Sequence, residues 1–138
     1  MASRSIEDLN FPTRERAKLF LAECLKAGIT VLIYCTKRSS VEQDGLYAIG
    51  RTLPGKIVTN AKGRDSWHNH GSAFDFVPML YGKPQWDNKE LYSKCGAIAE
   101  KVGLEWAGRW KRSLRETSHA QYRGGLTLAQ VKSGMEVV

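Results

Sequence analysis

Residues 13–27, TRERAKLFLAECLKA, place Ala17, Phe20, Leu21, Cys24 and Leu25 at helical spacing, with polar residues between them. Pro12 near the start and Gly28 just past the end suit the boundaries of a helix. The next apolar run, ITVLIYC from Ile29 to Cys35, is rich in β-branched residues and predicts a buried strand. SSVEQDGLYAIG reads as a helix ending at Gly50, although Gly45 inside it weakens that helix. Residues 51–65 contain Pro54, Gly55 and Gly63 and read as an extended loop, interrupted by a short strand around Ile57–Thr59. AFDFVPML, from Ala73, alternates as a strand, with Phe74 and Phe76 on one face and Ala73, Asp75 and Val77 on the other. A helix over residues 87–102 starts at Asp87 and is closed by Gly103. Leu104 to Trp106 and His119 to Tyr122 read as short strands, and TLAQVKSG as a short terminal helix. Helices and strands mix without βαβ alternation, so the class is α+β.

The chain has 138 residues, which suits a single domain over 1–138. A domain of that size buries roughly 65–70% of its unfolded surface and folds without a disulfide or a structural metal. No run reaches the ~18 apolar residues of a membrane span. MASRSIEDLNF lacks the apolar core of a signal peptide. The expectation is a protein made in the cytoplasm, with no stable membrane association. Lysine plus arginine number 21 against 14 acids, giving +7, which favours an anionic partner such as nucleic acid, an anionic membrane or a cell-wall polymer. Cys24, Cys35 and Cys95 are far apart in sequence and form no C-x-x-C, so reduced, buried thiols are expected.

The stretch SWHNHGSAFDF, Ser66 to Phe76, carries the candidate chemistry. Asp75 sits inside an apolar strand, where a bare charge is costly; it must be paired, exposed or metal-bound. His68 lies seven residues earlier, and Gly71 between them permits a sharp turn that brings imidazole and carboxylate together. A zinc site needs a third protein ligand, with one position kept for water. His119 can supply it, and Glu116, three residues before it, can reach the same centre from the preceding turn. A glutamate there can take a proton from water and pass it to a leaving amine. His70 reads as a supporting or surface residue. Trp67, Trp86, Trp106 and Trp110 read as core or cleft wall, with Trp106 and Trp110 the candidates for cleft lining. Lys111, Arg112 and Arg115 form a basic cluster beside Glu116.

Ser66, His68, Gly71, Ala73 and Asp75 match an S-x-H-x-x-G-x-A-x-D pattern. In this the chain resembles the zinc peptidases related to VanY carboxypeptidase and to the phage L-alanyl-D-glutamate endolysins. GLEWAGRWKRSLRETSHAQ resembles that family's second block, and CTKRSSVEQDGLYAIGRT its arginine segment. The three blocks occur in family order across about residues 30–122. Serine at 118 and histidine at 70 depart from the residues common in relatives, and neither removes a ligand. The resemblance implies an antiparallel sheet with flanking helices, as in the D,D-peptidase and hedgehog fold. It implies zinc on His68, Asp75 and His119, Glu116 as catalytic acid/base, and Arg38 as a contact to a substrate carboxylate or the transition state. It also implies substrate contacts at Ser66, Gln43 and Trp110. The expected activity is cleavage of an L-alanyl-D-glutamate bond in the peptidoglycan stem peptide by a monomeric phage endolysin, acting on the wall after release from the host cytoplasm. D-alanyl-D-alanine carboxypeptidase is the alternative. An HNH-type nuclease fits less well, because that motif is spread over a ββα unit of about thirty residues, and no nucleic-acid partner is expected. A non-catalytic zinc or wall-binding module also fits less well, since a structural zinc is usually closed by four protein ligands and leaves Glu116 without a role.

Overall fold

The computed structural model describes residues 2–111 and 116–138. Helix α1 (Phe11–Lys26) starts where the Asn10 side chain accepts the Thr13 N–H and Pro12 occupies the first turn, and it is followed by strand β1 (Thr30–Cys35). Helix α2 (Ser40–Ala48) opens with a capping box between Ser39 and Glu42. The long connection that follows leads to β2 (Ala73–Leu80) and a two-residue β3 (Lys83–Pro84). Helix α3 (Lys89–Lys101), β4 (Glu105–Trp106), β5 (His119–Gln121) and α4 (Leu128–Lys132) complete the order.

The strands run antiparallel in the order β1-β2-β5-β4, with β3 also paired to β2. Helices α1 and α3 cover one face. Phe20 of α1 packs against Phe74 and Phe76 with ring centroids 5.7 and 5.0 Å away, and Tyr92 of α3 meets Phe76 at 5.8 Å. Because side chains alternate along β2, Asp75 faces away from these helices. All three cysteines are buried free thiols. Among the described residues no helix is long and apolar enough to cross a membrane.

Two sequence expectations change. Residues Ile57–Thr59 form no strand. That loop is held to α2 by side chains: Gln43 Nε2 donates to Ala61 O at 2.7 Å, Arg51 to Tyr47 O and Thr59 O, and Gly63 N–H to Asp44 Oδ1 at 2.7 Å. Trp106 belongs to the core, at 4% exposure, and not to a cleft wall. Its indole lies against Gly96 and Gly108, where a Cβ on either glycine would overlap the ring atoms. It donates Nε1–H to Thr117 O at 2.7 Å.

Candidate metal and catalytic site

The site stands on the sheet face opposite α1 and α3. His68 lies on a 3-10 turn, Trp67–His70, capped by Ser66, whose hydroxyl accepts the His68 N–H at 3.2 Å. Gly71 ends the turn in the left-handed region, at φ 68°, and a Cβ there would stand 3.0 Å from Asn10 N. The chain can therefore reverse into β2, as the position of Gly71 in the sequence led one to expect. The Asn69 side chain donates to Arg38 O at 2.9 Å, and Arg38 N–H to His68 O at 3.0 Å. These bonds lace the end of β1 to the histidine turn.

Asp75 pairs across the sheet with His119 on one side and Cys35 on the other. His68 Nε2 and His119 Nδ1 both approach Asp75 Oδ1 at 3.3 Å. Each ring is anchored through its other nitrogen: His68 Nδ1–H donates to Thr36 O at 2.7 Å, and His119 Nε2–H to Gln121 Oε1 at 2.8 Å. Such outer bonds fix the tautomer and aim the inner nitrogen at a metal. The two 3.3 Å separations suit a tetrahedron with bonds of about 2.0–2.1 Å, whose edges are about 3.3–3.4 Å. The donor set of two imidazoles and a carboxylate thus fits zinc.

Burial opposes charge on His68, but the Asp75 carboxylate and the Cys35 thiol push its pKa up to about 10. Burial pushes Asp75 up, yet hydrogen bonds with His119 and His68, and the charges on those rings, hold it well below the usual carboxylate range. A cation is therefore favoured beside this carboxylate, and a proton on His68 occupies that role when no metal competes.

Cys35 is a neighbour that sequence reasoning missed. Cys35, His68 and Asp75 offer ligand atoms within 4.8 Å of one another. The Cys35 Sγ, however, lies 3.9 Å from His68 Nδ1, the nitrogen already committed to Thr36, and accepts from Arg38 Nη2 at 3.3 Å. Its role in this arrangement is to hold Arg38. No spacing signal marks it, because it meets His68 only through the fold.

A cleft of about 800 Å³ opens over the centre, lined among others by Arg38, Ser66, Trp110, Glu116 and His119. Glu116 lies in the turn before β5, where His119 N–H donates to Glu116 O at 3.3 Å. Its carboxylate is 58% exposed and 4.0 Å from His119 Nδ1. Trp110 stands 5.8 Å from His119, ring centroid to centroid. Arg38 Nη1 donates to Gln43 Oε1 at 2.8 Å, and Nη2 lies 4.0 Å from Asp75 Oδ2. Gln43, expected as a substrate contact, is fully buried behind Arg38 and joins it to Ala61. The structure therefore gives Gln43 a positioning place in this cleft. His70 turns outward and donates Nε2–H to Arg64 O at 2.9 Å. Arg112 and Arg115 of the expected basic cluster lie outside the described residues.

A profile of peptidase family M15, described as D-alanyl-D-alanine carboxypeptidase, matches residues 59–122. The chain is 39% identical to the peptidoglycan L-alanyl-D-glutamate endopeptidase CwlK of Bacillus subtilis (strain 168), over 76% of this chain and 68% of that protein. Among solved structures, the Serratia marcescens L-Ala D-Glu endopeptidase ChiX superposes with a TM-score of 0.67 at 20% identity, covering 90% of each chain. The vancomycin resistance D,D-pentapeptidase VanY in complex with Zn(II) superposes at 0.62 and 10% identity, covering 91% of this chain and 78% of that one. At those identities the two structures speak for the fold, an α+β domain with an open antiparallel sheet and flanking helices.

Proposed function

The chain belongs to peptidase family M15, and on that premise we propose that it is a zinc metallopeptidase that hydrolyses the L-alanyl-D-glutamate bond of the peptidoglycan stem peptide. The observation that carries the reading is the approach of His68 Nε2 and His119 Nδ1 to one oxygen of Asp75, at 3.3 Å each, with Glu116 alongside. The choice of bond follows the CwlK relative, and the assignment to phage endolysins follows the three sequence blocks. One peptidase domain over residues 1–138 belongs to the same proposal.

When bound to His68, Asp75 and His119, zinc supplies Lewis acidity toward the attacking water and the scissile carbonyl. Glu116 takes the proton of that water and delivers it to the leaving amine. Thr36 O and Gln121 Oε1 keep the two imidazoles in register throughout. Arg38, held by Gln43 and Cys35, keeps N–H groups directed at the cleft for a substrate carboxylate or the developing oxyanion. Ser66 and Trp110 form cleft wall beside it.

An arginine in the cleft also suits a terminal carboxylate, which favours D-alanyl-D-alanine carboxypeptidase as the second reading. Mass spectrometry of digested peptidoglycan separates the two. Fragments with a new D-glutamate amino terminus support the endopeptidase; release of free D-alanine alone rejects it.

A further inference from the structure

Strand β1 bulges where it reaches the site. Ile33 pairs with Phe76 and Cys35 with Asp75, so Tyr34 is the extra residue. A bulge breaks alternation and re-aims side chains. Here it lets two consecutive residues face the site: Cys35 beside His68, and Tyr34 close to Ser118. Tyr34 in turn supports Trp86, ring centroids 5.2 Å apart and planes at 77°. Trp86 is bracketed by backbone bonds, Gln85 N–H to Pro78 O at 2.9 Å and Asn88 N–H to Gln85 O at 3.2 Å. It is nevertheless 52% exposed. The recess around it is lined by Gln85, Asp87, Asn88 and Lys89. One rigid aromatic surface ringed by amides, a carboxylate and an ammonium suits a ligand ring with an apolar C–H face and a hydroxylated rim. A ring already fixed in place loses little freedom on binding.

We propose that Tyr34 and Trp86 form an aromatic subsite for the aminosugar carried on the amino side of the cleaved bond. The inference rests on the endopeptidase function proposed above. In that substrate one alanine and one lactyl group separate the scissile carbonyl from the sugar, roughly 7 Å of extended chain. Tyr34 stands close to Ser118, the residue before His119, and Trp86 packs edge-on against the Tyr34 ring.

The test compares two substrates with zinc-loaded protein: a disaccharide-linked stem peptide and the same peptide without sugar. Wild type should favour the sugar-linked substrate in kcat/KM by about three- to tenfold, the range expected of one aromatic contact. Trp86→Ala should bring that ratio close to one through a higher KM for the sugar-linked substrate, and Trp86→Phe should keep part of the preference. An unchanged ratio in Trp86→Ala, or equal loss on both substrates, overturns the subsite while leaving the peptidase function standing. Product masses from wild type that locate the cut away from L-alanyl-D-glutamate overturn both.

Discussion

Gly96→Ala is a small substitution with a large expected effect. Alanine in place of glycine inside a helix ordinarily stabilises by about 0.5–1 kcal/mol. In α3 the added Cβ would overlap the indole atoms Cδ2, Cε3 and Cε2 of Trp106. The ring would have to retreat by at least about 1 Å to restore a carbon–carbon separation of ~3.5 Å. Gly108 also lies close against the indole, so the ring has little free space around it. Overpacking of this kind costs about 1–3 kcal/mol. Displacing the indole from Thr117 O costs a further ~1–3 kcal/mol if that carbonyl is left without its donor. The net loss, about 1–5 kcal/mol, should lower the Tm by roughly 3–17 °C in a domain of this size. The displacement also reaches the turn that carries Glu116 and His119, where a shift of ~1 Å can cost about 10²-fold in rate. Thermal unfolding of the zinc-loaded variant, with turnover measured well below its Tm, reads both effects. An unchanged or raised Tm with near-native turnover would refute the reasoning that the glycine slot positions the catalytic turn.

Other consequences follow from the same geometry. Glu116→Gln keeps shape but cannot carry a proton, so zinc content and Tm should hold while turnover falls by roughly 10²–10⁴; near-native turnover removes Glu116 from the reaction. Arg38→Lys keeps charge but loses the fork held by Gln43 and Cys35, and kcat/KM should fall at least about tenfold with zinc retained; equal cleavage at subsaturating substrate rejects the contact. Without metal, the His68–Asp75 pair makes stability pH-dependent. The raised His68 pKa contributes fully below about 6.5 and is lost as the pH rises through about 10, while the lowered Asp75 pKa contributes above about 4 and is lost on acidification. The Tm gap between metal-free wild type and metal-free Asp75→Asn should be widest at about pH 4–6.5 and should close toward pH 10; a gap flat across that range contradicts the ion pair.

The parts of this fold that were legible in the sequence are those set by local periodicity. α1 and β2 follow from apolar spacing, and the reversal between His68 and Asp75 from Gly71. Glu116 and His119 could be joined because a turn brings residues three apart to one side. The rest depends on partners distant in sequence. The bulge at Tyr34 is a property of register against β2, not of β1 alone. Trp106 looked like cleft wall because its slot is made by Gly96 and Gly108, which carry no signal of their own. Gln43 resembled a substrate contact, yet its amide is spent joining Arg38 to Ala61. The stretch Ile57–Thr59 has strand-like residues, but side chains of α2 and Arg51 hold it where no strand edge is offered.

The central claim is that zinc binds between His68, Asp75 and His119. Anomalous diffraction at the zinc edge, from crystals of the metal-loaded protein, tests it most directly. The account predicts one peak about 2.0–2.2 Å from His68 Nε2, His119 Nδ1 and a carboxylate oxygen of Asp75. A peak bonded instead to Cys35 Sγ, or no peak at this centre in a fully active preparation, would contradict it.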